Sequence, residues 1–254
     1  MILGLLQARM ESTRLPGKVL LKINKKSIIW HILNRVKFSK KIDKTIVIIP
    51  NNKKNNILYD YLKKNNFNVF RGSSKNVLDR YYKAAKKNNA KIIVRLTGDD
   101  PFKDPRIIDI AINKFLKEKL DYISNCSYDN SIKSSYPEGI DVEVFSMKCL
   151  EKVWKSASKN SEKEHVTPYI FNNKSKFKIK GFYSRKNYSK HRWTLDYKED
   201  YIFAKKIYKH LYKDNKIFYM KDILSLLNKY PNIQNINNKF IRYEGYFKSK
   251  FEDK

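Results

Sequence analysis

Twelve residues near the amino terminus, QARMESTRLPGK at positions 7–18, combine three cationic side chains, two hydroxyls and a Pro-Gly turn directly after an apolar run. That mixture suits a dense negative charge held without a deep apolar pocket, because Arg, Lys and the N–H groups of a tight turn all supply donors. Arg9 and Arg14 would fork onto phosphate oxygens, and Lys18 would act as a mobile point charge. Pro16 fixes φ and Gly17 tolerates a positive one, so the pair shapes the turn. No G-x-x-x-x-G-K-[ST] run surrounds it, which excludes a Walker A loop. The competing reading is a solvated basic loop between strand and helix.

A second cluster, VRLTGDDPFKDP at 94–105, places Gly98 before Asp99 and Asp100. Glycine would let the backbone turn sharply and present the carboxylates where a phosphate-bound cation is shared. Mg²⁺ takes oxygen ligands, commonly one or two carboxylates plus substrate phosphates, so Asp99 is a candidate ligand. Capping of the following turn is the alternative role for both aspartates. Asp196, in HRWTLDYKEDY at 191–201, belongs to another strand-to-helix loop, as a second carboxylate for the same ion or as a simple N-cap. Glu138, Asp141 and Glu143 follow a Pro-Glu-Gly turn. Alternation puts Asp141 and Glu143 on one strand face, to grip sugar hydroxyls or to line a dimer contact.

To position these groups the chain needs strands that end at them. The apolar run at 2–6 would deliver the first loop at the carboxyl end of a sheet, where open α/β folds bind ligands. Ile28, Ile32, Leu33 and Val36 give residues 27–38 a helical period, and 45–49 is a β-branched run ended by Pro50. Leu58, Tyr61 and Leu62 mark a second helix, 68–70 a short strand, 77–85 a third helix and 91–96 another β-branched run. The alternation predicts an α/β fold, a mainly parallel sheet flanked by helices. A helix at 107–116 and a strand at 122–124 extend it, and then the rhythm changes. Residues 139–145 alternate like a strand, 147–157 and 162–171 look helical, and 177–183 look extended. Residues 127–188 therefore read as an insertion that covers the site or makes a dimer contact. A helix after Tyr197, a less regular stretch at 232–238 and a helical tail over 213–254 complete a single domain of 254 residues.

Lys and Arg number 55 against 25 Asp and Glu, a net charge of +30 that points to nucleic acid, phosphates or a membrane surface. The chain is also crowded with Asn, Ile and Tyr and poor in Gly, Pro and Ala, as AT-rich coding would produce, and the same bias inflates lysine. Its lysines are dispersed and form no basic arm, so the charge is discounted as a functional signal. Cys126 and Cys149 are too few for a disulfide framework or a cysteine zinc site. No stretch approaches the ~18 apolar residues of a membrane span, so a cytoplasmic protein with no membrane partner is the expectation.

Taken in order, these motifs resemble the spore coat polysaccharide biosynthesis protein F family of the cytidylyltransferase superfamily, which includes the CMP-Kdo and CMP-sialic acid synthetases. The resemblance runs from Ile2 to roughly Leu211. It rests on QARMESTRLPGK, RGSSKNVLDRYY (71–82), VRLTGDDP, YPEGIDVEVF (136–145), EHVTPYI (164–170) and RWTLDY (192–197). It implies a Rossmann-like nucleotide-diphospho-sugar transferase fold in which Gln7, Ala8 and the loop to Lys18 bind the nucleotide. Arg9, Arg14 and Lys18 would then meet phosphates, Arg95 would join the nucleotide site, and Arg71, Ser73 and Asp79 would lie near base or ribose. Asp99 and Asp196 would bind Mg²⁺, and Glu138, Asp141, Glu143, His165 and Arg192 would fall on the acceptor side. The glutamate at Glu11 would repel a triphosphate unless it points away or meets the metal.

The activity implied by the resemblance is attack of an acceptor on the α-phosphorus of CTP, with pyrophosphate leaving and Arg9, Lys18 and the metal neutralising charge. The acceptor would be a 2-keto-3-deoxy sugar acid of sialic-acid type, with a sugar 1-phosphate as the alternative, and the enzyme would be a homodimer. His165 is a candidate base or a packing residue. A basic nucleic-acid-binding protein without catalysis is the alternative from another class. The acids at strand ends argue against it, because they would repel a phosphate backbone, so no nucleic-acid partner is expected. A catalytically silent homologue with a binding role is a third reading.

Overall fold

Each central strand is apolar on both faces, and this dictates a helical layer on either side of the sheet. Leu6, Val47, Ile49, Val94 and Leu96 point into one core, and Leu3, Leu5, Ile46, Ile48 and Ile93 into another. The structure, a computed structural model, describes residues 1–129, 131–240 and 242–253, so positions 130, 241 and 254 of the two expected segments lie outside the described residues. The chain runs β1 (Ile2–Gln7), a hairpin of β2 (Lys22–Ile23) and β3 (Lys26–Ser27), α1 (Ile28–Val36), β4 (Lys44–Pro50), α2 (Asn56–Lys64), β5 (Val69–Gly72) and α3 (Val77–Lys87). It continues through β6 (Ile92–Thr97), α4 (Pro105–Glu118), β7 (Tyr122–Ser124), β8 (Glu143–Ser146), α5 (Met147–Ser156), α6 (Asn160–His165), α7 (Pro168–Asn172) and β9 (Ile179–Gly181). Helices α8 (Lys198–Leu211), α9 (Met220–Lys229) and α10 (Glu244–Phe251) follow.

Among the described residues the main sheet has the order β5-β4-β1-β6-β8-β7-β9. Strand β1 pairs in parallel with β4 and β6, β4 with β5, and β7 with β9, while β8 is antiparallel to both its neighbours. The expected α/β architecture is present. Helices α1, α4, α8 and α9 pack on one face and α3, α5 and α7 on the other. Ser27 starts α1 by accepting the Trp30 N–H, a cap of the kind that stabilises a helix by about 1 kcal/mol.

This strand order creates the crevice. From β1 the chain moves outward to β4 and β5, and α3 then returns it to the opposite flank of β1 as β6. Connections diverge between β1 and β6, and ligands of open α/β sheets bind beyond the carboxyl ends of such strands. Gln7 stands opposite Thr97 there. The Gly98 N–H donates to the Gln7 carbonyl at 2.9 Å, and a Cβ on Gly98 would stand 3.0 Å from that oxygen. Glycine is thus required by close approach of two loops, not by the sharp turn expected from sequence.

Residues 127–188, expected as an insertion that covers the site or makes a dimer contact, supply β8 and β9 to the main sheet, where β8 separates β6 from β7, and Tyr128, Glu143 and His165 to the cavity described below. Two expectations need correction. The helix expected at 162–171 is two helices, α6 and α7, since Val166 adopts φ 74° and Pro168 opens a new turn. The strand expected at 139–145 shrinks to β8. Gly139, at φ 96°, presses against the backbone of Trp193 and Thr194 instead, and the Trp193 N–H donates to the Glu138 carbonyl at 2.8 Å. Among the described residues no helix is long and apolar enough to cross a membrane.

Candidate active site

Three loops meet beyond β1 and β6 around a cavity of about 490 Å³. The first follows β1. Gly17, at φ 67°, turns the chain into a short 3-10 turn that drives the Lys18 side chain inward until it is only 10% exposed. Its Nζ donates to Asp99 Oδ2 at 3.1 Å, to Asp196 Oδ1 at 2.9 Å and to the Leu195 carbonyl at 2.9 Å. The loop after β6 and the loop before α8 are tied to each other as well, through the Leu195 N–H and the Asp99 carbonyl at 2.7 Å. Burial disfavours both charges, yet the aspartates hold the Lys18 ammonium above its ordinary pKa and Lys18 holds Asp99 well below the usual carboxylate range.

Asp196 is shared further. Arg14 reaches its Oδ1 at 2.8 Å and Arg192 its Oδ2 at 3.5 Å. Arg192 also grips Asp200 with two bonds of 3.0 Å and Glu138 with one of 3.0 Å, while Asp200 accepts the N–H groups of Asp196 and Tyr197. Asp200 therefore sets the loop that carries Asp196. Its place in the first turn of α8 was legible in Lys198-Glu199-Asp200, but its partner Arg192 was not. Two carboxylates and a carbonyl converging on one cation form an all-oxygen donor set of the kind Mg²⁺ takes, so the residues fit that ion.

The opposite part of the cavity is built from buried pairs. Glu143 bonds Arg95 and accepts the Thr167 hydroxyl at 2.7 Å and the Tyr122 hydroxyl at 2.5 Å. Lys103 pairs with Asp100 at 2.7 Å and bonds the Asp141 carbonyl, and the Asp141 carboxylate meets Arg242 at 2.8 Å. Burial pushes Asp100 up, and it pushes Glu138 up to about 7 despite the opposing charge of Arg192. Burial also lowers His165 to about 4, so its ring is neutral near pH 7. It packs against Tyr128 and Tyr246, with Nε2 3.2 Å from Ser249 Oγ.

Of the residues singled out from sequence, Gln7, Ala8, Arg9, Arg14, Lys18, Arg95, Asp99, Glu138, Asp141, Glu143, His165, Arg192 and Asp196 line this cavity. Arg71, Ser73 and Asp79 do not. Arg71 donates to the Asn52 carbonyl and to Asn56, Ser73 caps the Asn76 N–H, and Asp79 accepts the Trp154 indole N–H and pairs with Lys83. Helix α3 turns Val77 and Arg80, three residues apart, toward the cavity instead. Arg80 is 3% exposed, its Nε and Nη1 have no partner among the described residues, and burial lowers it to about 10. Sequence reading missed it, although position i+3 from an inward Val77 was the available signal. Glu11 points away from the cavity, fixed by the Asn52 and Asn55 amides at 2.8 and 2.6 Å. The carboxy-terminal segment was also missed as site material: Tyr243, Glu244, Tyr246 and Ser249 all line the mouth.

The sequence profile of the cytidylyltransferase family matches residues 3–229. An uncharacterised protein of Methanocaldococcus jannaschii is 39% identical over 249 residues, 96% of this chain and 97% of the relative. The spore coat polysaccharide biosynthesis protein SpsF of Bacillus subtilis is 31% identical over 237 residues, 91% of this chain and 95% of the relative. A cytidylyltransferase structure from Leptospira borgpetersenii superposes with a TM-score of 0.86 at 34% identity, covering 95% of this chain and 99% of that one. CMP:2-keto-3-deoxy-manno-octonic acid synthetase, solved with CTP, shares the fold at a TM-score of 0.62 and 15% identity, covering 82% and 98%. The chain belongs to the cytidylyltransferase family and has its Rossmann-like nucleotidyltransferase fold.

Proposed function

We propose that this member of the family transfers cytidine monophosphate from CTP to a hydroxyl of a 2-keto-3-deoxy sugar acid, releasing pyrophosphate, with Mg²⁺ as its cofactor. The observation that carries the reading is the convergence of Lys18, Asp99 and Asp196 beyond the carboxyl ends of β1 and β6. The acceptor oxygen forms the new bond to the α-phosphorus as the bond to the β-phosphoryl oxygen breaks, and the acceptor proton passes to solvent or a nearby base. Asp99, Asp196 and the Leu195 carbonyl would hold the ion, which when bound neutralises charge on the phosphates.

The chain's own residues do the rest. Arg9, 53% exposed at the rim, and Arg14 offer donors to the leaving pyrophosphate, and Lys18 adds a charge beside them. Arg80 presents two unpartnered donors to acceptor atoms of the nucleotide. Positioning and charge stabilisation then supply most of the rate. On the acceptor side, Arg192 lines the cavity beside Glu138 and offers its guanidinium to a substrate carboxylate. The test is pyrophosphate release with Mg²⁺, each of the four nucleoside triphosphates, and a panel of sugar acids and sugar 1-phosphates. Release that requires CTP and a sugar acid is expected. Release with a sugar 1-phosphate alone, or with another nucleotide in place of CTP, would overturn the acceptor or the base assignment.

A further inference from the structure

The ammonium of Lys18 stands inside the oxygen cage that the nucleotide-transfer reading gives to the metal. Its three acceptors, Asp99 Oδ2, Asp196 Oδ1 and the Leu195 carbonyl, are the atoms that would ligate a divalent ion, and Arg14 shares Asp196 from the outer side. A divalent cation that takes these three oxygens must displace the ammonium from them. Nor can Lys18 simply leave, because it is buried and an ammonium stripped of its carboxylates becomes an uncompensated buried charge.

We infer that Lys18 is a resident counter-ion that keeps the metal cage closed until a polyphosphate arrives to accept it. The triphosphate supplies the new anion for Lys18 while the incoming divalent ion takes over the carboxylates, so the two bind as one unit and the empty protein has little affinity for free metal. This exchange rests on the metal reading of Asp99 and Asp196 and goes beyond it. It makes Lys18 an inhibitor of metal binding in the absence of nucleotide. The same residue favours the loaded state once nucleotide is present.

The consequence runs against the usual effect of deleting an active-site lysine. Titration of the wild-type protein, Lys18→Met, and Lys18→Met/Asp196→Asn with Mn²⁺ as the probe, without nucleotide, reads it by electron paramagnetic resonance. Lys18→Met is expected to bind Mn²⁺ at least about tenfold more tightly than wild type, and the double variant to lose that gain. Equal affinity of wild type and Lys18→Met overturns the exchange while leaving the metal reading intact. Failure of the wild-type protein to bind Mn²⁺ even with CTP overturns both. Should Lys18→Met not fold, the ¹⁵Nζ resonance of Lys18 in the wild-type protein gives a second reading. Mn²⁺ alone is expected to leave that line sharp, and its broadening by Mn²⁺ alone at concentrations that need no nucleotide overturns the inference.

Discussion

The cavity has two unlike sides. The floor is assembled from the loops that the paired strands β1 and β6 bring together and from the loop before α8 tied to them, and its charges cross-pair from loop to loop, Lys18 to Asp99 and Asp196, Arg14 to Asp196. The mouth is closed by the carboxy-terminal segment, most of which lies beyond the stretch matched by the family profile, and is held by contacts between residues far apart in the chain. Glu244 meets Arg14 at 3.3 Å and the Tyr197 hydroxyl at 2.6 Å, Ser249 donates to Glu164 at 2.7 Å, and Ser161 bonds Asp253. The floor carries the residues to which the proposal gives nucleotide transfer. At the mouth, acids sit on Arg14 and Arg9 and, under that proposal, would compete with phosphate for them. The difference separates what makes the reaction go from what tunes who enters.

If that division is right, substitutions in the floor act on turnover. Asp99→Asn or Asp196→Asn should lower kcat by roughly a thousandfold or more, with the far-ultraviolet circular dichroism unchanged. A loss below tenfold in both would erase the distinction between floor and mouth. Arg80→Met should raise the KM for CTP by roughly ten- to a hundredfold, the worth of hydrogen bonds from a charged donor, with no fall in Tm because two unpartnered buried donors are removed. A large fall in Tm with an unchanged KM would make Arg80 a packing residue. At the mouth, Glu244→Gln removes one of the two acids on Arg14, leaving Asp196, and should lower the KM for CTP by only about two- to fivefold, as fits a partly exposed pair. An increase in KM would mean that Glu244 assists the nucleotide.

The smallest effect concerns the acceptor side and pH. Burial pushes Glu138 up to about 7 from its ordinary value of 4.5, so between these values the folded protein holds a proton that the unfolded chain has lost. Stability from this group is therefore present below the unfolded value and falls as pH rises toward 7. Glu138→Gln should flatten the decline of Tm between pH 5 and 7, and an unchanged slope would remove Glu138 as its source.

The same contrast explains what was legible in the sequence. Leu3, Leu5, Leu6 and the β-branched runs of β4 and β6 announce buried parallel strands by local pattern, and the loops they deliver place Lys18 and Asp99 where they belong. Asp196 does lie on the loop before α8, but the strand expected to end at it is absent: Arg192 makes only an isolated bridge with Glu138. The loss of Asp79 and the gain of Arg80 turn on one residue of helical rotation, settled by tertiary packing: Asp79 accepts the Trp154 indole N–H of α5 while Val77 and Arg80 face the cavity. The break at Val166 depends on a positive φ that a β-branched residue adopts only under tertiary constraint. Strand β8 could not be seated beside β6 from sequence, because antiparallel insertion into a parallel sheet is a choice of distant partner. The mouth was missed for the same reason: Glu244, Ser249 and Asp253 carry no motif of their own.

The central claim is that the cage of Asp99 and Asp196 beyond β1 and β6 is where metal and nucleotide meet. A crystal structure with CTP and Mn²⁺, read by anomalous scattering at the manganese edge, tests it directly. The account predicts a manganese peak about 2 Å from carboxylate oxygens of both aspartates, with Lys18 Nζ moved onto a phosphate oxygen. Manganese and nucleotide bound elsewhere, with Lys18 still bridging Asp99 and Asp196, would contradict it.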